Sequence, residues 1–405
     1  MLVLENAMLI DGKNRLPKKG TKVVIDKNRI VDVSEHVSYP ETAQILDLKG
    51  YTILPGLIDL HVHAGGIVKL KEGEPNFVDM KYSNKYEEAR KHSIANGVTT
   101  LRSCGDFFPD TVIVRDEISA EKLPGPRFFV SGMQFTAPGG HPAYTIMSGD
   151  PYILKYSIKL ADDPEKARAD VRMLIDGGVD YIKSQLSSLD SWHYPRKLPK
   201  LALNVLEAII DEAHKHNHKA IVHAETPMDA YDAVKRGADS IEHLLVVRAD
   251  SAEVPEGLIE LMVKQGTHVV PTMYITKVYT ESNPPPKRYN DLKNIIRRFY
   301  EAGVNITTGT DAGAPDIQFG EAIHLDLECM VEAGMSPMDA IIATTGKAAE
   351  NLGKEKELGT IEKGKLADII VISGDPLVNI ANTKNIKLVI KDGKIIVDNI
   401  HLKKK

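Results

Sequence analysis

The chain has almost no cysteine. Cys104 and Cys329 are the two in 405 residues, far apart and outside any CxxC pair. This excludes a disulfide framework and favours a reducing compartment, so a cytoplasmic location is expected. Long apolar runs are missing too, since no stretch approaches the ~18–20 residues of a membrane span. The segment from Met1 to Ile10 lacks a basic region and is interrupted by Glu5 and Asn6, so it reads as a strand and not as a secretion signal. No sign of charge dominates. The net charge is −5 with both signs interspersed, which argues against nucleic acid as a partner, and Lys403, Lys404 and Lys405 read as a solvated terminus. A small-molecule substrate and a homo-oligomer are the expected partners, without a membrane.

What is present suits a soluble globular protein, with 42% hydrophobic and 26% charged residues. The length allows one large domain with an appendage, or two to three domains. Residues 1 to about 50 hold short alternating segments such as 22–26 and 29–33. Similar segments recur at 368–372, 387–390 and 394–397, with Asp392-Gly393 as a hairpin turn signal. These two ends are expected to pair into one small β domain, 1–54 with 356–405. The middle, 55–355, alternates short apolar strands with amphipathic helical stretches. Candidate strands are 53–60, 98–103, 128–131, 181–184, 220–223, 240–243, 268–271 and 306–310; helices are expected at 163–176, 203–216, 228–236 and 292–302. Eight strand–helix units predict a (β/α)8 barrel with insertions. A doubly wound sheet is the runner-up, but no glycine-rich phosphate loop follows the first apolar strand. The Pro284-Pro285-Pro286 run reads as a loop, with 282–289 a candidate lid.

Tyr51 to Leu60 reads as one buried strand followed by His61-Val62-His63. Residues two apart on a strand share a side, so both imidazoles aim at one point, the start of a transition-metal site. A surface pair beside a turn is the other reading of that tripeptide alone. Further strand ends add Lys183, His223, His243 and Asp311. Each alone has an ordinary explanation, as a structural histidine, a snorkelling lysine or a helix N-cap. Six together, at the end of the strands where barrel sites form, point to one cavity.

The segments PGLIDLHVH at 55–63, YIK at 181–183, VHAE at 222–225, IEHL at 241–244 and TGTDAG at 308–313, with 335–341 and 358–368, resemble the amidohydrolase superfamily. The resemblance covers essentially the whole chain. It implies a (β/α)8 barrel plus a small β-sandwich made by both termini. It also implies two divalent ions, usually zinc. His61, His63 and Asp311 would hold one, His223 and His243 the second, and an N-carboxylated Lys183 would bridge them. Burial beside cations favours the free amine that CO2 needs. A water bridging two metals becomes hydroxide near neutrality, and Asp311 would take its proton and pass it to the leaving group.

One branch, resembling Xaa-Pro and Xaa-Arg dipeptidases and related to imidazolonepropionase, is closer. It is supported by Gly125-Pro126-Arg127, Ser131-Gly132 and Gly139-Gly140-His141. His141 is then the candidate contact to the substrate carbonyl, with Tyr144 a weaker one. Two departures stand out. Pro142 replaces a glycine frequent after that histidine, and Glu225 replaces a tyrosine frequent near the substrate carboxylate. An acidic Glu225 would favour a cation or a neutral ring. The expected activity is amide hydrolysis of a peptide or N-acyl amino acid. Alternatives are a cyclic amide, carbamate or lactone with phosphotriesterase side activity, and a mononuclear deaminase with Glu225 moving protons. A non-enzymatic homologue is disfavoured because all six ligands are kept.

Overall fold

The computed structural model describes residues 1–65, 84–147, 149–188, 197–244, 252–282 and 287–400. The triple proline at 284–286 and the lysine tail lie outside the described residues. Of the candidate lid, Ser282 ends the helix Met273–Ser282, and Tyr289 lies within the next, Lys287–Glu301.

The fold is α/β with parallel sheet. Eight parallel strands follow one another in chain order: Leu57–Val62, Val98–Ser103, Arg127–Val130, Tyr181–Leu186, Lys219–Ala224, Ser240–His243, His268–Val270 and Asn305–Ile306. Ladders join the first three and the last five. Hydrogen bonds also cross both remaining seams. Asp180 N donates to Val130 O at 2.7 Å, and Leu60 N donates to Thr308 O at 3.1 Å. Two short strands not foreseen in the sequence, Gln134–Thr136 and Ile158–Leu160, extend the sheet beside the fourth strand. Helices between the strands begin on designed caps. Asp163 accepts from Lys166 N ahead of Pro164, and Thr226 from Asp229 N ahead of Pro227.

The single strand expected over Tyr51–Leu60 is in fact two. Tyr51–Pro55 pairs antiparallel with Ile369–Ser373, whereas Leu57–Val62 pairs parallel with Val98–Ser103. The switch falls at Gly56, where a Cβ would overlap the Thr99 side chain. Both halves are buried, so the apolar run carries no periodicity change that would mark the break. The eighth strand is likewise shorter than expected. Only Asn305–Ile306 are laddered; Thr307 N then donates to Val269 O of the seventh strand, and Thr308 O accepts from Leu60 N of the first.

The chain ends form two further sheets. Leu2–Glu5, Lys22–Asp26, Arg29–Ser34 and Gln44–Asp47 make one of four strands; Met8–Leu9, Tyr51–Pro55, Ile369–Ser373, Ile386–Lys391 and Lys394–Asp398 make one of five. The Asp392-Gly393 turn closes the last hairpin with both residues at positive φ, 48° and 73°, as its sequence predicts. Leu4, Val23, Ile25 and Leu46 of the first sheet share one buried apolar cluster with Ile53, Ile369, Val371 and Leu388 of the second. Burial of such side chains, ~1.5–3 kcal/mol each, holds the two termini against one another.

Candidate metal centre

The C-terminal ends of the parallel strands bring five imidazoles into a row. Ring centroids lie 5.5 Å apart for His63 and His61, 4.5 Å for His61 and His243, 4.4 Å for His243 and His223, and 5.1 Å for His223 and His141. All five are buried. Asp311 closes one end, with Oδ1 3.3 Å from His63 Nε2 and 3.6 Å from His61 Nε2. Glu225 closes the other, with Oε1 3.6 Å from His223 Nε2. Two sets of donor atoms each fall within 4.8 Å of one another: His61, His63 and Asp311, and His141, His223 and Glu225.

The backbone bends to make this possible. His243 and Asp311 have φ of 78° and 61°, a sparsely populated region for such residues and a form of strain that gathers at functional sites. Two glycines let the loops close in. A Cβ at Gly309 would lie 2.7 Å from His61 Cβ, and one at Gly313, itself at φ 103°, would strike the His63 carbonyl.

Four of the five rings are oriented through their outer nitrogen. His61 Nδ1 meets Glu242 Oε2 at 2.6 Å, His63 Nδ1 meets Gly105 O at 2.9 Å, His243 Nδ1 meets Thr272 Oγ1 at 3.0 Å, and His141 Nδ1 meets Thr145 Oγ1 at 2.8 Å. This is the arrangement by which outer-shell partners fix imidazole ligands. Burial, then the nearby Lys183 charge, pushes His61 down to about 4 and His223 to about 3. Burial and the crowd of neighbouring cations push His243 well below its usual range. These three rings are therefore neutral near pH 7, with lone pairs available. Burial alone would raise Asp311, but His63, His61 and Lys183 hold it down at about 2, so it stays a carboxylate.

Lys183 is fully buried on the fourth strand, and burial lowers its affinity for a proton. The residues fit a pair of cations on an observation of their own. His61 Nε2, His223 Nε2, Asp311 Oδ1 and Lys183 Nζ are buried and lack a hydrogen-bond partner among the described residues. An unsatisfied buried polar atom costs ~1–3 kcal/mol, more if charged, so four such atoms call for an ion or water to meet them. Three can offer a lone pair to a cation, and the fourth is an amine.

Tyr144 stands apart. It is 40% exposed and lies against Gly149, whereas the other predicted site residues are buried. Sequence reasoning missed Arg102, Glu242, Asp59 and Asp106. Asp59 accepts from His61 N and from both Thr310 N and Oγ1, and Asp106 accepts from Ala64 N and Gly65 N, so both brace the loops that carry ligands. The available signal was a charged residue inside an apolar strand, which must be paired if buried. A third close set, His61, Cys104 and Glu242, differs from the others. Its Glu242 oxygens and His61 Nδ1 are already hydrogen-bonded, and burial holds the Cys104 thiol protonated, at about 12.

The amidohydrolase family model matches residues 52–396. A solved Xaa-Pro dipeptidase with bound methionine superposes with a TM-score of 0.82 at 29% identity, covering 97% of this chain and 99% of that one. The ochratoxinase of Aspergillus niger is 27% identical over 388 residues, 85% of this chain and 75% of that protein. The imidazolonepropionase of Shouchella clausii is 29% identical over 198 residues, 47% of this chain and 40% of that protein.

Proposed function

The chain belongs to the amidohydrolase family and is a hydrolase of carbon–nitrogen bonds, and from that premise we propose that it is a binuclear metal-dependent hydrolase of an amide bond in a peptide or N-acyl amino acid. We read the eight-strand ring as a (β/α)8 barrel over 55–355, and the two terminal sheets as a β-sandwich over 1–54 with 356–405. The observation that carries the functional reading is the set of buried, unsatisfied atoms on His61, His223, Asp311 and Lys183.

His61, His63 and Asp311 would hold one ion, and His223 and His243 the other. Lys183, as a carbamate, would supply one oxygen to each, replacing a repelling ammonium by an anion. Two divalent ions, zinc first, acidify a water and polarise the scissile carbonyl when bound. Asp311, ionised and at hydrogen-bond range of the site, takes a proton and returns it to the leaving amine. His141, its ring pinned by Thr145, orients the substrate carbonyl.

Metal analysis of purified protein should give close to two divalent ions per chain, and intact mass in bicarbonate buffer should show a carbamate on Lys183. One ion with an unmodified lysine would overturn this reading in favour of a mononuclear deaminase.

Glu225 favours a second reading of the substrate. It is fully buried beside His223, where a carboxylate repels a substrate carboxylate and suits a cation or a neutral ring. A cyclic amide, carbamate or lactone then fits the same site. Glu225→Gln should shift the ratio of kcat/KM for N-acyl amino acids over lactones at least roughly tenfold, about 1.4 kcal/mol, toward the carboxylates, with metal content unchanged. Equal ratios in both proteins would return Glu225 to a structural role.

A further inference from the structure

Two buried charges beneath the site have no part in the chemistry above. Arg102 lies on the second parallel strand and Glu242 on the sixth, both fully buried, with Nη2 2.7 Å from Oε1. The pair therefore spans the interior of the strand ring. A buried ion pair of this kind seldom adds stability, because desolvation offsets the attraction, so its presence asks for another reason.

The hydrogen bonds supply one. Glu242 uses Oε1 for Arg102 and for Ser240 Oγ, at 2.7 Å each, and turns Oε2 toward His61 Nδ1 at 2.6 Å. Arg102 is itself fixed on three sides: Nε donates to Leu60 O at 2.6 Å, Nη1 to Asn351 Oδ1 at 3.1 Å, and Nη2 to Glu242. Asn351, from the helix Gly346–Leu352, donates to Ser240 Oγ at 3.3 Å and Thr307 Oγ1 at 3.2 Å. The network ties the second, sixth and eighth strands and one helix to a single ring nitrogen. With Oε1 accepting from the Arg102 guanidinium and the Ser240 hydroxyl, Glu242 is placed as the acceptor toward the ring, so the proton in that bond sits on His61 Nδ1. Nε2 is then the lone-pair nitrogen, and it is one of the buried unsatisfied atoms of the site.

We propose that Arg102 and Glu242 are positioning residues of the metal centre: Glu242 fixes the His61 tautomer and aims its Nε2 lone pair at the cation, and Arg102 holds Glu242 in place. The proposal rests on the binuclear reading above.

The test is zinc binding by the chelator-stripped full chain, wild type against Glu242→Gln and against Arg102→Met with Glu242→Gln. The glutamine keeps the shape but loses the charge, and the double variant removes both charges together, leaving none buried alone. One of the two wild-type zinc affinities should fall roughly 10–100-fold in both variants, the range for outer-shell partners, with circular dichroism unchanged in the double variant. Wild-type affinities in either variant would show a mere packed ion pair and overturn the proposal. Wild-type protein that binds no zinc would instead overturn the binuclear reading, and this one with it. Should neither variant fold, nitrogen-15 histidine spectra of the stripped wild-type chain decide. A proton on His61 Nδ1 supports the proposal, and a proton on Nε2 overturns it.

Discussion

Lys183→Ala is expected to lose at least ~100-fold in kcat/KM on an amide substrate and to bind less than two metal ions per chain. Part of the activity should return when a short carboxylic acid such as acetate or propionate is added. The size of the loss follows from what the side chain would do. Outer-shell partners of a metal already account for ~10–100-fold, and a ligand shared by both ions should exceed that. The rescue follows from geometry and charge. Truncation removes a fully buried side chain and opens a space where Lys183 acts electrostatically on His61, His223 and Asp311. A free carboxylate that enters it carries the two oxygens and the negative charge of the missing carbamate. Dose-dependent rescue by acetate, but not by an amine of similar size, is the signature to look for. Retained activity in the unsupplemented variant would refute the bridging role. A loss without rescue, joined to a lower melting temperature, would show that the lysine matters only for packing.

Asp311→Asn should lower kcat by roughly 10²–10⁴-fold, the usual contribution of a positioned proton carrier, and change KM far less. Asparagine keeps the shape of the side chain and an oxygen that can still face a cation, but it cannot accept a proton. The environment makes the contrast sharp. Asp311 is held ionised at about 2 by His63 and its neighbours despite its burial, so the native group is a carboxylate throughout the neutral range. An Asp311→Glu variant, one methylene longer, makes a useful control, because it keeps the proton chemistry while moving the oxygens. Single-turnover measurements separate the chemical step from binding. A fall in KM affinity with kcat unchanged would assign Asp311 to holding substrate and not to proton transfer.

The ligand set was readable because its signal is local. His61 and His63 stand two apart on a strand, and period two sends both to one side. Lys183, His223, His243 and Asp311 each end a short apolar run, and ends of parallel strands gather at one face of such a fold. Four of those positions, His61, His63, His223 and His243, lie with His141 in one row of rings. Parallel strands alternating with helices were likewise visible, because an apolar strand and an amphipathic helix differ in period.

Other features could not be read this way. The split at Gly56 was hidden because both halves of Tyr51–Val62 are buried, and burial on two faces erases the alternation that marks a strand's partner sheet. Tyr144, the weaker candidate for substrate contact, is 40% exposed, and its exposure could not be read from the sequence. Arg102 and Glu242 lie 140 positions apart, and nothing in either strand names the other. The sequence by itself determined the candidate ligands, since a residue's type and its place at a strand end are properties of a few neighbouring residues. Only the tertiary structure decided how His61 is held, because a buried charge finds its partner across the interior of the fold, where distance along the chain has no bearing.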